Sequence, residues 1–399
     1  MGKNHNPKLE LAVDYLKYLG TTDISPTQKQ EEFYKLGCDV SVNSQDEQTY
    51  ISLSGLDDNF EESVQLFENL LANAVTNDDA LHNLKMDVLK KREDAKLSKQ
   101  TILYSGMANF AKYGAKNAFT NQLSEEELMA VSSEELLSII HNLTSYEHRV
   151  LYYGPKEVDE ASSSISELHQ IPSALQTIPE GGEYAELDIN KTSVYVVDYD
   201  MQQAEILMVA KGSKYNAEKM PLIKLHNEYF GGSMGSIVFQ TLRESKALAY
   251  SVYSAYSTPR TADKSHYVTA YIGTQSDKLK EAMIGMDELL TDLPEVEANL
   301  ENSKDAIIQK IRTERITKDK VLFNYESAKR LGSEADSREE IFNNIEKFTM
   351  EDLQNFHQEY INGNEYTILV LGSKGELNLD ALKEYGEVKF LTLEDVFGY

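Results

Sequence analysis

Two stretches of this 399-residue chain repeat one another, and a long-period repeat constrains architecture more than any single residue does. Ser132-Ser133-Glu134-Glu135-Leu136 leads through a helical stretch and a polar turn into Arg149-Val150-Leu151-Tyr152-Tyr153-Gly154-Pro155-Lys156. Thr349-Met350-Glu351-Asp352-Leu353 leads in the same way into Thr367-Ile368-Leu369-Val370-Leu371-Gly372-Ser373-Lys374. Each Ser or Thr with Glu close behind it reads as a helix N-cap, and each apolar run closed by Gly reads as a buried strand. The offset is about 217 residues, and nearly the same offset relates Leu70-Leu71 and Lys85 to Leu289-Leu290 and Lys304. Between the copies, the two prolines and the glycine pair of Ile171-Pro172 through Pro179-Glu180-Gly181-Gly182 mark a surface linker. The expected organisation is therefore two tandem homologous domains, 1–172 and 183–399, each of ordinary domain size.

Within the second copy the periodicity predicts strands over 194–198, 204–210, 249–255 and 266–272. It predicts helices over 221–230, 276–290 and 294–315. Strands cluster and long amphipathic helices follow them, which is an α+β pattern rather than strict βα alternation. Charge narrows the partners. A net charge of −27 repels nucleic-acid phosphate and anionic membrane surfaces and attracts basic peptides, although acidity of this size also serves solubility alone. The single cysteine, Cys38, excludes an internal disulfide and a multi-cysteine zinc site within one chain. No apolar run is long enough to span a bilayer, so membrane insertion is not expected; a soluble periplasmic or cytoplasmic location both fit.

The chemistry-bearing segment runs Gly231-Gly232-Ser233-Met234-Gly235-Ser236-Ile237-Val238-Phe239-Gln240-Thr241-Leu242-Arg243-Glu244-Ser245-Lys246-Ala247-Leu248-Ala249-Tyr250. Read singly, Arg243 is a cation at a helix C-terminus and Tyr250 a half-buried strand aromatic. Read together, a glycine turn, a short helix ending in Arg-Glu and a Leu-Ala-Tyr opening a strand resemble the signature of the pitrilysin, insulysin and mitochondrial processing peptidase family. Asp200-Met201-Gln202-Gln203-Ala204 and Tyr271-Ile272-Gly273-Thr274-Gln275 resemble flanking elements of the same family, and the resemblance covers essentially the whole chain.

That resemblance implies two tandem domains, each a mostly antiparallel sheet covered by helices, forming one half of a clamshell chamber. It implies that Tyr250 donates to the oxyanion of a scissile peptide carbonyl, that Arg243 holds a substrate carbonyl, and that Gly231 and Gly232 let a substrate backbone approach or simply form a tight turn. Family members bind zinc through His-x-x-Glu-His on a helix. None of the eight histidines here stands in such a motif. Counting back from Gly20-Thr21, its place is taken by Leu11-Ala12-Val13-Asp14-Tyr15, and the stretch where a distal Glu would fall, Lys85 to Arg92, is rich in lysine. No metal or cofactor is therefore expected in this chain. The implied partner is a half that carries His-x-x-Glu-His and zinc, on the same polypeptide or on a separate subunit, with a peptide as substrate. Family repeats open with two strands ahead of the metal-helix position, so the chain reads as trimmed at its front, a fragment or a nicked form. A non-catalytic scaffold of the same fold, or a peptide-binding module using an exposed sheet edge, are the other readings.

Overall fold

Strand-forming and helix-forming stretches separate along the sequence, and the computed structural model, which describes residues 1–399, gathers them into two units. One unit comprises residues 1–97, 118–184 and 398–399; the other comprises 98–117 and 185–397. No helix is long and apolar enough to cross a membrane.

In the N-terminal unit, the helix Leu9–Leu16 buries Leu9, Leu11, Ala12, Val13, Tyr15 and Leu16. Its apolar face joins Phe67, Leu70 and Leu71 of the helix Phe60–Asn73, Leu81 and Leu84 of the helix Asp78–Lys96, and Leu136 and Ile140 of the helix Ser133–His141. The Tyr15 hydroxyl donates to the Asn77 carbonyl at 2.9 Å and accepts from the Asn77 N–H at 2.6 Å. Asn77 in turn caps the helix Asp78–Lys96 through the Ala80 N–H, so one buried phenol fixes where that helix starts. The unit's sheet is a two-stranded antiparallel hairpin, β1 (Asp39–Ser44) and β2 (Thr49–Ser54).

The C-terminal unit is built on a six-stranded sheet. Its strands are β3 (Ser193–Asp198), β4 (Gln203–Lys214), β5 (Ser251–Ser257), β6 (Ser265–Gln275), β7 (Thr367–Gly372) and β8 (Val388–Leu391), in the order β5-β6-β4-β7-β3-β8. Pairing is antiparallel from β5 through β7 and parallel among β7, β3 and β8. One face, with Val196, Ile206, Met208, Val268, Ile272 and Val370, packs against the helices Met220–Phe230, Leu279–Thr291, Glu297–Thr313 and Met350–Tyr360. The other face is covered by residues 98–117, where Phe110 meets Tyr195 edge-on and Tyr104 tilts against Tyr271. Burial on both faces explains why β4 is a continuous apolar run instead of an alternating one.

The two copies of the repeat keep their helix starts and differ in their strands. Ser132 caps the helix Ser133–His141, and Thr349 forms a capping box with Asp352 at the start of the helix Met350–Tyr360, as the sequence predicts. Thr367–Gly372 is β7, buried throughout. Its counterpart 149–154 is not the buried strand expected: Val150 is 50% exposed, Leu151 36% and Tyr153 59%, and no ladder includes them. β7 is a strand because β4 and β3 flank it, whereas no strand pairs with 149–154.

Two packing details test this account. Gly231 ends the helix Met220–Phe230, and its backbone lies against β5 so closely that a Cβ would sit 2.4 Å from both the N and the O of Ser254. Because those atoms belong to a paired strand, Gly231→Ala is expected to cost about 3 kcal/mol in urea unfolding.

His226 and His357 meet in the core, with His226 Nε2 donating to His357 Nδ1 at 3.1 Å and His357 Nε2 donating to the Leu290 carbonyl at 3.0 Å. Both rings are neutral in that arrangement, and His226 Nδ1 is a buried acceptor without a partner. Burial pushes both histidines down, His357 to about 4. Between the unfolded value of 6.5 and about 4, the unfolded chain binds more protons than the folded one. Stability is thus full above about pH 6.5 and is lost as pH falls, with His357 alone contributing about 3 kcal/mol of the loss. Urea unfolding at a series of pH values reads the slope, and His357→Gln should flatten it.

Candidate functional site

Arg243 and Tyr250 lie on a connection whose backbone is held at almost every residue. After the glycine turn the chain winds into a π-turn over Phe239–Ser245, in which the Lys246 N–H reaches the Thr241 carbonyl at 2.9 Å. Turns of this kind are frequent at functional sites because they rotate side chains out of helical register. The Leu248 N–H then donates to the carbonyl of Leu242, whose side chain is fully buried. Between them Ala247 has a φ of 49°, a left-handed conformation that costs an L-residue about 1–2 kcal/mol. Two side chains hold the strained turn, Lys278 Nζ donating to the Ala247 carbonyl at 3.2 Å and Thr274 Oγ1 to the Leu248 carbonyl at 2.6 Å. The Tyr250 N–H finally joins the Gly273 carbonyl at 2.8 Å, where β5 begins beside β6.

The side chains converge on one groove, lined among others by Arg243, Glu244, Leu248, Tyr250, Gln275 and Lys278. Tyr250 is 53% exposed, and its phenolic oxygen accepts from Gln275 Nε2 at 2.6 Å. With that lone pair occupied, the phenol's own hydrogen is left to be donated into the groove. The Arg243 guanidinium lies over the Phe239 ring, 4.7 Å from its centroid, and its only near carboxylate is Glu244 at 3.8 Å. Its planar fork is steadied by the ring and keeps donors for another acceptor.

The structure therefore brings Arg243 and Tyr250 together and sets Gly231 and Gly232 apart from them, since neither glycine lines the groove. Gly231 is fitted to Ser254, and a Cβ on Gly232 would stand 2.7 Å from the Asn227 carbonyl. The same turn closes the outer edge of β5. The Ser254 N–H donates to the Gly231 carbonyl, and the Asn227 side chain pairs with both the N–H and the carbonyl of Tyr256. Strand addition over that part of β5 is blocked.

The sequence carries no signal for Lys278, and Thr274 and Gln275 enter it only as members of the segment Tyr271–Gln275 at the strand-to-helix junction, with no role of their own.

In the N-terminal unit, the place of the zinc motif does not fit a metal. Leu11, Ala12, Val13 and Tyr15 are core side chains, and Asp14 pairs with Lys17 at 2.6 Å. Lys85 is buried, donates to the Met129 and Val131 carbonyls at 2.9 and 2.6 Å, and has its pKa lowered by that burial. A buried ammonium there repels a divalent cation. No group of three or more His, Cys, Asp or Glu residues is placed to hold a metal.

Residues 124–305 match the model of the peptidase M16 inactive domain. A Bacillus subtilis protein described as the uncharacterized zinc protease YmxG is 24% identical over 304 residues, covering 73% of this chain and 71% of its own. The peptidase M16 inactive domain from Pseudomonas fluorescens superposes with a TM-score of 0.69 at 17% identity, covering 94% of this chain and 90% of its own. The periplasmic protease PqqL from Escherichia coli superposes with a TM-score of 0.71 at 15% identity over 94% of this chain, which spans 42% of PqqL. The Arg-to-Tyr segment lies inside the matched residues, so over 124–305 the chain is similar to the peptidase M16 inactive domain, and it shares the fold of such domains across nearly its whole length.

Proposed function

We propose that the chain is the substrate-binding, catalysis-completing half of a bipartite zinc metalloendopeptidase. The observation that carries the reading is the groove itself: a phenol with its oxygen held by Gln275 and its hydrogen available, beside a guanidinium with donors to spare. In such a half Tyr250 donates to the oxygen of the scissile carbonyl as negative charge gathers there, and Arg243 fixes a neighbouring main-chain carbonyl so that the peptide lies still. Zinc, held by the His-x-x-Glu-His half, supplies the activated water. A chain that matches 42% of the length of a protease such as PqqL is the right size for one such half. The two halves would form a chamber around the peptide. The inactive-domain match also suits a non-catalytic scaffold, which would make Arg243 and Tyr250 dispensable.

Peptide hydrolysis by this chain mixed with the His-x-x-Glu-His half separates the two. Tyr250→Phe keeps the ring and removes the hydrogen bond, and should lower kcat/KM of the mixture about a hundredfold or more. Arg243→Ala should act mainly by raising KM. Full activity in both variants would establish the scaffold reading.

A smaller change is expected from Gln275→Leu, because it frees the phenol to rotate without removing it. Here kcat should fall by about tenfold with KM nearly unchanged, and Gln275→Asn should not restore it, the amide being one methylene too short.

A further inference from the structure

Far along the sequence from the groove, within the N-terminal unit, Glu68, His169 and His148 form a chain of contacts that the peptidase reading does not use. Glu68, on the helix Phe60–Asn73, is only 6% exposed. One of its oxygens accepts from His169 Nδ1 at 2.7 Å and the other from the Gln170 N–H at 3.2 Å. His148 Nδ1 lies 2.6 Å from the Tyr146 carbonyl. The two Nε2 atoms then face each other at 2.7 Å, with the ring planes at 86°.

The proton count follows from the acceptors. A carbonyl and a carboxylate have no hydrogen to give, so both Nδ1 atoms are N–H donors. Two neutral imidazoles protonated at Nδ1 present bare lone pairs at Nε2, and lone pairs 2.7 Å apart repel. The contact is favourable only with a cation between the nitrogens. That cation is a proton or a metal ion.

We propose that His148 and His169 form a two-imidazole binding site for a late first-row divalent cation of the zinc, nickel and copper class. Those ions favour imidazole nitrogen, and a ring held at Nδ1 by a carboxylate or a carbonyl is the usual outer-shell support of a metal-bound histidine. A tetrahedral ion at about 2.0–2.1 Å from each nitrogen sets them about 3.3 Å apart, an opening of about 0.6 Å. His148, exposed on an irregular segment, can supply it. Water completes the coordination, since only two protein nitrogens converge. The net charge of −27 raises the local concentration of cations. The site ties residues 146–148 to the start of the linker, beside the parallel bridge between Tyr146 and Gln176. It is a clamp within the N-terminal unit.

Equilibrium dialysis of the untagged chain at pH 7.5 against zinc chloride or nickel chloride tests it. One ion per chain is expected. His148→Ala should weaken binding at least tenfold, and Glu68→Gln, which loosens the His169 ring, by about ten- to a hundredfold. With copper(II), the electron paramagnetic resonance spectrum should show two nitrogen couplings in the native chain and one in His148→Ala, which removes an exposed side chain and leaves the core intact. Retention of no ion would mean that the pair shares a proton only. Equal retention by His148→Ala would place the ion on surface carboxylates. Either result overturns the proposal.

Discussion

Pairing of β4 along both of its edges is the constraint on which the rest of the C-terminal unit depends. β4 is antiparallel to β6 from Gln203 to Lys214 and to β7 from Glu205 to Val209. Its register delivers the functional segment through a short relay: Glu205 stands opposite Gly273 on β6, and Gly273 stands opposite Ser251 on β5. The Gly273 carbonyl accepts the Tyr250 N–H, so the height of the phenol above the groove is set two strands away. Gly273 has no side chain for a reason, because a Cβ there would stand 2.7 Å from the Tyr271 hydroxyl and 3.3 Å from Glu205. A buried carboxylate is tolerated only when its charge is met. Glu205 meets Lys99 at 3.0 Å and the Tyr271 hydroxyl, so residues 98–117 contribute a cation as well as apolar cover.

The same dependence on partners explains how much of the fold was legible in the sequence. Helix starts were readable because caps are local: Ser132 and Thr349 find their N–H groups three residues on. The four strands of the second copy from β3 to β6 were readable within a few residues, their composition and their partners both being present. Val150-Leu151-Tyr152-Tyr153 has the composition of a strand as surely as Ile368-Leu369-Val370-Leu371 has. Composition states only that a segment would fit a pleated, half-buried surface; a ladder needs a neighbour, and sequence periodicity carries no information about neighbours.

At the groove the division is similar. Arg243 and Tyr250 were visible because their spacing is a one-dimensional pattern. Gln275 is 25 residues from Tyr250 and Lys278 is 31 from Ala247, and each acts through a hydrogen bond that only the β5-β6 pairing creates. Ala247 could not be read either, since alanine gives no hint of a left-handed conformation and the turn is held there by its neighbours. The histidines show the limit most plainly. His226 lies 131 residues from His357, and His148 lies 21 from His169. Neither pair has a motif, yet one is a neutral core contact and the other needs a cation.

Exposure finally bears on what the groove can accomplish by itself. A phenol donating to an oxyanion is worth several kcal/mol only where water is excluded, because in bulk water the competing solvent donors are equally good and the interaction is screened. Tyr250 is 53% exposed and the groove opens to solvent. The backbone on both sides of Tyr250 is fixed, and Gln275 fixes its hydroxyl, so the orientation of the phenol is set in folding while its surroundings stay wet. For the pair to act in proteolysis, a second surface has to cover it and expel that water. A preorganised donor left in the open is what the proposed two-part site would require of one of its halves.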